Sequence, residues 1–90
     1  MQDIPPKVLY VVLGIIQMRT GEFPAMQDFR IQNGERVKAI LKYQFSFESK
    51  KIPLSVTGTV SYDPRDHSAS ADFTFKDDGK ETQCYINKCE

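Results

Sequence analysis

The sequence predicts an α+β domain in which one N-terminal helix packs on a meander of four to five antiparallel strands. Three observations carry that expectation. Apolar residues recur at helical spacing over residues 8–16, apolar and polar residues alternate over several later stretches, and turn-forming residues separate those stretches. A helix with one apolar stripe and a sheet with one apolar face each need a cover. Covering each other, they make a two-layer domain.

The helix begins at Pro5 and Pro6, which suit a first turn because the missing N–H has no intrahelical partner there. Val8, Val11, Val12, Ile15 and Ile16 then follow one face of a helix. Leu9, Leu13 and Met18 widen that face. Their β-branched neighbours favour a strand, but an unbroken strand of this length would be unusual, so a helix is expected. Gly14 weakens it by about 1 kcal/mol relative to Ala, and close approach to another backbone would account for the glycine. Gly21 is placed to end the helix, and Pro24 prevents its return.

After Pro24 the chain reads as antiparallel sheet. The first strand is expected over residues 26–32, with Asn33-Gly34 as its hairpin turn, since a type I′ turn needs φ > 0 twice. In the second strand Val37, Ala39, Leu41, Tyr43, Phe45 and Phe47 alternate with Lys38, Ile40, Lys42, Gln44, Ser46 and Glu48. One dry face and one wet face follow. A turn is expected at Ser49, Lys50 and Lys51. The third strand sets Leu54, Val56, Gly58, Val60 and Tyr62 against Ser55, Thr57, Thr59 and Ser61. Asp63, Pro64, Arg65 and Asp66 form a turn by their chemistry. The fourth strand puts Ala69, Ala71, Phe73 and Phe75 on one face, Asp78-Gly79 turns the chain, and a fifth strand runs through Thr82, Cys84 and Ile86.

Composition narrows the function classes. Ninety residues, 40% apolar and 27% charged, suit one globular domain over 1–90. Twelve basic residues cancel twelve acidic ones. A nucleic-acid binder draws much of its affinity from basic residues on phosphates, so nucleic acid is not an expected partner. The longest apolar run has nine residues, where a membrane helix needs about 20, so no membrane partner is expected either. Asp3, two prolines and a single lysine precede that run, unlike the basic flank of a signal peptide. The chain reads as a mature or excised domain whose start does not name its compartment.

Cys84 and Cys89 would lie about 17 Å apart along one extended strand, beyond disulfide reach. A turn at Ile86, Asn87 and Lys88 would bring them together, and a short-loop disulfide is the reading carried forward. It favours an extracellular or other oxidising compartment. Two unrelated thiols, with Cys84 as a small core residue, are the alternative. Zinc would need two further ligands, and the single histidine, His67, is remote in sequence.

Catalysis has little to stand on. A nucleophile needs a base and an orienting group within hydrogen-bond reach, and Cys84, His67 and Asp66 are the only cast. His67 sits in a polar turn, where an exposed imidazole is the ordinary outcome. Asp63, Asp66, Asp77 and Asp78 are where turns favour Asp. Five scattered glycines make no phosphate loop. The aromatic residues alternate with polar ones and so belong to the core, not to a nucleic-acid stacking platform. No enzyme activity, cofactor or metal is expected. On the wet face, Ile40 interrupts an otherwise polar row, as a residue touching a partner or the N-terminal arm would.

Two strings go beyond topology. One is Tyr43-Gln44-Phe45-Ser46-Phe47-Glu48. The other is Ala71-Asp72-Phe73-Thr74-Phe75-Lys76, followed by the acidic-Gly-Lys turn at residues 77–80. Between them Val60-Ser61-Tyr62-Asp63-Pro64 ends a Val-rich strand, and Ile4-Pro5-Pro6 precedes the helix. Together these resemble one half of a latexin, a family of two cystatin-like halves that inhibits metallocarboxypeptidases. The resemblance implies a cystatin-like fold and protease inhibition. A surface that needs both halves does not carry over to a single half. Cystatins that block papain-like proteases present a Gln-x-Val-x-Gly loop and a Pro-Trp pair. Here the nearest string is Leu54-Ser55-Val56-Thr57-Gly58, and the chain has no Trp. The usual cystatin wedge is therefore not expected.

The functional expectation is a non-catalytic binding domain with a protein partner, a protease foremost. Its contacts would be the loop residues Ser49, Lys50, Lys51 and Pro53, the loop residues Asp63, Pro64, Arg65, Asp66 and His67, and the arm over residues 2–6. The alternative is a structural or assembly module that binds a partner protein through a sheet edge or the exposed sheet face.

Overall fold

A computed structural model describes residues 4–86 and 88–89. One helix, α1 (Pro6–Thr20), is followed by β1 (Phe29–Val37), β2 (Ile40–Glu48), β3 (Leu54–Asp63), β4 (Ser68–Asp77), β5 (Lys80–Tyr85) and the two-residue β6 (Lys88–Cys89). The strands form one sheet in sequence order, each antiparallel to the next. The expected α+β layout is what the chain adopts, with one helix on five antiparallel strands and the short β6 added at the edge.

Pro6 occupies the first turn of α1, and Gly21 closes it at φ 75°, donating its N–H to the Gln17 carbonyl at 2.8 Å. That conformation costs a glycine nothing and an L side chain about 1–2 kcal/mol. Val8, Val12, Ile15 and Ile16 are buried against the sheet. They meet the inner faces of β2, β3 and β4. The strand register lays the inner face out in rows across the sheet. Ile31, Phe45, Gly58, Phe73 and Cys84 form one row, and Phe29, Phe47, Val56 and Phe75 form the next. Arg19 reaches over this surface from the last helical turn. Its guanidinium carbon lies 5.8 Å from the Phe73 ring centre and 5.6 Å from that of Phe75, within cation–π range.

The first hairpin is not where its turn chemistry points. Residues 26–28 form a single 3-10 turn, β1 runs on through Asn33 and Gly34, and the chain reverses at Lys38 and Ala39, with Lys38 at φ 58°. The second strand accordingly starts at Ile40. A two-residue turn at Asn33-Gly34 would have set Ile31 opposite Arg36 and Arg30 opposite Val37. A slip of odd register turns every side chain to the other face, so Phe29 and Ile31 would have faced solvent. The observed register pairs Phe29 with Phe47 and Ile31 with Phe45, which buries Phe29. Inner-face packing overrides the local turn signal. Asn33 and Gly34 instead enter a bulge, where the register shifts between Asn33 and Arg36. A Cβ at Gly34 would lie 3.1 Å from the Lys42 carbonyl, a close approach of the kind that marks glycine in strands.

Past the bulge Val37 pairs with Ile40. Ile40 therefore has an apolar cross-strand neighbour on the wet face, which accounts locally for its break in the polar row. Asp78 and Gly79 form the expected turn with φ 51° and 85°, the double positive φ of type I′. Ile86 lies in the turn after β5 rather than within the strand.

Cys84 and Cys89 are joined by a disulfide across the β5–β6 pair. Cys84 is buried in the core. The bridge closes a loop of sequence separation 5, so chain-entropy reasoning gives it about 2 kcal/mol of stabilisation. Reduction should add two hydrogens by mass spectrometry and lower the melting temperature. Two freely alkylated thiols in unreduced protein would contradict the bridge.

Candidate partner-binding loops

The loop over residues 49–53 joins β2 to β3 and is fixed by one serine. Ser49 donates its N–H to the Leu54 carbonyl at 2.9 Å. Its hydroxyl oxygen accepts from the Lys51 N–H at 3.2 Å and the Ile52 N–H at 3.3 Å, and the hydroxyl donates to the Glu22 carboxylate. The Pro53 carbonyl accepts the Asp78 N–H at 2.8 Å. The loop is thus tied to the chain leaving α1 on one side and to the β4–β5 turn on the other. Exposed Lys50 and Asp28 approach to 3.9 Å, and a pair of this kind adds little stability.

The segment over residues 22–28 runs beside this loop and is itself held. Thr20 donates its hydroxyl to the Ile16 carbonyl at 2.7 Å and accepts the Glu22 N–H at 3.1 Å. Asp28 accepts the Ala25 N–H at 3.2 Å. Large apolar side chains nevertheless stand in water at this end of the sheet. Phe23 is 81% exposed, Met26 55% and Ile52 45%.

The second loop, residues 64–67, joins β3 to β4 and satisfies itself. The Asp63 carboxylate accepts three hydrogen bonds from Arg65, at 2.9 Å from the backbone N–H, 3.0 Å from Nε and 2.8 Å from Nη2. Asp66 accepts the Ser68 N–H at 3.0 Å. Tyr62 and His67 share a hydrogen bond of 3.0 Å between the phenol oxygen and Nδ1, and His67 sits at φ 61°.

The hydrogen bonds from Arg65, side chain first, hold the Asp63 carboxyl at about 2 against an ordinary 3.8. The Ser68 hydrogen bond lowers Asp66 as well, and Asp63 raises Arg65. A carboxylate with a depressed folded pKa adds stability above its unfolded value. That contribution is lost as pH falls from 3.8 through about 2. NMR titration of the Asp63 carboxyl carbon should give a midpoint near 2 that moves toward 3.8 in Arg65→Met. An unshifted midpoint in the wild type would show that the loop is not locked in this way.

The two loops lie at opposite ends of β3. That strand has ten residues, so they are separated by about 33 Å. Ser49, Lys50, Lys51 and Pro53 therefore share one end, and Asp63, Pro64, Arg65, Asp66 and His67 the other. A single cleft cannot take both. Of the N-terminal arm, Gln2 and Asp3 lie outside the described residues, while Ile4 packs half-buried against the core. The string Leu54-Ser55-Val56-Thr57-Gly58 lies within β3, with Leu54 and Val56 buried, so it forms no hairpin tip.

The wet sheet face carries three polar pairs between neighbouring strands. Thr74 donates to Gln83 at 2.9 Å, Gln32 to Gln44 at 3.4 Å, and Lys76 faces Glu81 at 4.0 Å. Among the described residues, no three His, Cys, Asp or Glu side chains converge as metal ligands would, and no helix is long and apolar enough to cross a membrane.

Sequence reasoning missed Phe23, Met26 and Ile52 as surface features. The available signal was position. Phe23 sits between the helix-ending Gly21 and Pro24, and Ile52 sits between Lys51 and Pro53. Neither falls on the period of a helix or strand, so neither has an inner face to point into. A scan against protein-family models and searches of curated proteins and of solved structures found no match for this chain.

Proposed function

We propose that this domain is a non-catalytic protein-binding module of the protease-inhibitor kind, with a cystatin-like fold resembling one half of a latexin. The end of the sheet carrying Phe23, Met26 and Ile52 is its contact surface. The observation behind this reading is the exposure of those three large apolar side chains on segments fastened by Ser49, Glu22 and Thr20. Exposed apolar clusters mark interaction sites, and contacts held rigid before binding lose less entropy when they bind. Lys50 and Lys51 rim the surface and would steer an acidic partner. The Cys84–Cys89 bridge suits an extracellular or other oxidising compartment.

A dose series against a papain-like protease and a metallocarboxypeptidase tests the inhibitor reading. No nanomolar inhibition of the papain-like enzyme is expected, because the nearest wedge-like string, residues 54–58, lies within β3 and not at a hairpin tip. Inhibition of the carboxypeptidase supports the reading. Activity of both enzymes unchanged at saturating domain opposes it.

A second reading rests on β1. Its nine residues form one edge of the sheet, with one row of backbone groups open to pairing. An assembly module would add a partner strand there. Slowed amide exchange confined to β1 on partner addition would favour this reading over loop-end contact.

A further inference from the structure

We propose that the outer face of α1 is a self-association surface on which a second copy of this chain docks, the two helices crossing antiparallel at Gly14. The proposal is independent of the inhibitor reading. The open side of the helix is mixed: Lys7, Tyr10, Gly14 and Met18 are exposed, with Gln17 half-buried. Over Pro6–Thr20 its only charged residues are Lys7 and Arg19, and Arg19 is turned over Phe73 and Phe75. Large apolar side chains grouped on the open side of a helix mark a surface that a partner covers. Here the sheet covers the side of Val8, Val12, Ile15 and Ile16, with Leu9, Val11 and Leu13 partly buried at its margins, and leaves Tyr10 and Met18 in water.

The uncovered side is self-complementary. Tyr10 and Met18 are each 72% exposed, and each stands four residues from Gly14. A Cβ at Gly14 would meet nothing within 4 Å, so the close approach that would explain this glycine is not made within the chain. A two-fold axis through Gly14 pairs the glycines and lays Tyr10 of each copy on Met18 of the other. Aromatic–thioether contact of this kind is favourable, and the interface is isologous, as closed dimers require. Charge fits the same register. Lys7 comes beside the negative C-terminal end of the second copy's helix. Parallel helices would instead set Lys7 against Lys7. A helix of 15 residues offers a strip about 22 Å long and about 10 Å wide, so the contact is smaller than a stable specific interface. The dimer is therefore expected to be weak.

Sedimentation velocity of the full chain tests this up to about 1 mM. The wild type should move from monomer toward dimer over that range. Tyr10→Glu and Met18→Lys should each remain monomeric alone but associate when mixed in equal amounts, because only the mixed pair sets the new carboxylate against the new ammonium. Gly14→Gln should also remain monomeric while melting no lower than wild type, since its side chain has open space. Monomeric wild type at the top of the range, failure of the mixture to associate, or unimpaired association of Gly14→Gln would each overturn the proposal. So would a wild type that stays monomeric and binds phosphatidylcholine vesicles, which would put lipid on this face.

Discussion

Phe73→Ala should cost about 3–5 kcal/mol, a large share of the roughly 5–13 kcal/mol expected for a domain of 90 residues. Phe73 is 2% exposed. It sits in the central inner row beside Gly58 and Cys84, under the Arg19 guanidinium. Removing the ring leaves a cavity between helix and sheet and takes away one of the two faces on which Arg19 rests. Thermal or denaturant unfolding measures the loss. A variant that melts within a few degrees of wild type would mean that Phe73 is not at the centre of the core.

Gly58→Ala should be nearly as damaging, although it adds only one methyl group. A Cβ at Gly58 would stand 2.5 Å from the Asp72 carbonyl oxygen, 2.5 Å from Phe73 Cβ and 2.8 Å from Phe73 Cα. The Asp72 oxygen and the Phe73 Cα belong to the β4 backbone, which cannot rotate aside as a flexible side chain would. The β4 backbone comes close to β3 at this point, and glycine permits the approach. Overpacking costs about 1–3 kcal/mol. A collision with backbone belongs at the upper end of that range, which is roughly 12–24 °C of melting temperature for a domain of this size. Gly14→Ala is the control. It meets open space on an exposed helical position, so it should stabilise the folded monomer by up to about 1 kcal/mol. Equal effects at the two glycines would contradict the packing described at Gly58.

The same residue bears on the β3 string. In sequence, residues 54–58 are the nearest string to a cystatin wedge, but their alternation already places Gly58 on the apolar face of a strand. In the structure Gly58 is part of the helix-facing surface. A bulky substitution there would test folding rather than inhibition.

Much of the fold was legible because its signals were periodic. Val8, Val12, Ile15 and Ile16 mark the buried side of α1, and the alternation from Tyr43 to Phe47 and from Ala69 to Phe75 marks the inner sheet face. Turn chemistry succeeded at Asp78-Gly79, where no packing opposed it. It failed at Asn33-Gly34, because the register that a turn there imposes would have exposed Phe29. A turn dipeptide is a local preference, and several buried aromatic contacts outweigh it.

The candidate site was less legible for a related reason. Ser49, Lys50 and Lys51 are recognisable as a loop, and so are Asp63, Pro64, Arg65 and Asp66, but loop composition does not say at which end of a sheet each loop emerges. Strand order and direction decide that. The ties from Glu22 to Ser49 and from Pro53 to Asp78 join residues distant in sequence, and no local pattern announces them. Phe23, Met26 and Ile52 matter because they share one end of the sheet, a property of the folded chain alone.

The most direct test of the account compares the two ends in one inhibition assay against a metallocarboxypeptidase. The double variant Phe23→Ser/Ile52→Ser is measured beside a variant whose residues 64–67 are replaced by a Gly-Asn turn. The account predicts that the double variant loses at least about tenfold in affinity, equivalent to about 1.4 kcal/mol, while its melting temperature is nearly unchanged. The variant of residues 64–67 should inhibit as the wild type does. Inhibition that survives the double substitution and disappears with residues 64–67 would place the contact at the opposite end of the sheet and contradict the account.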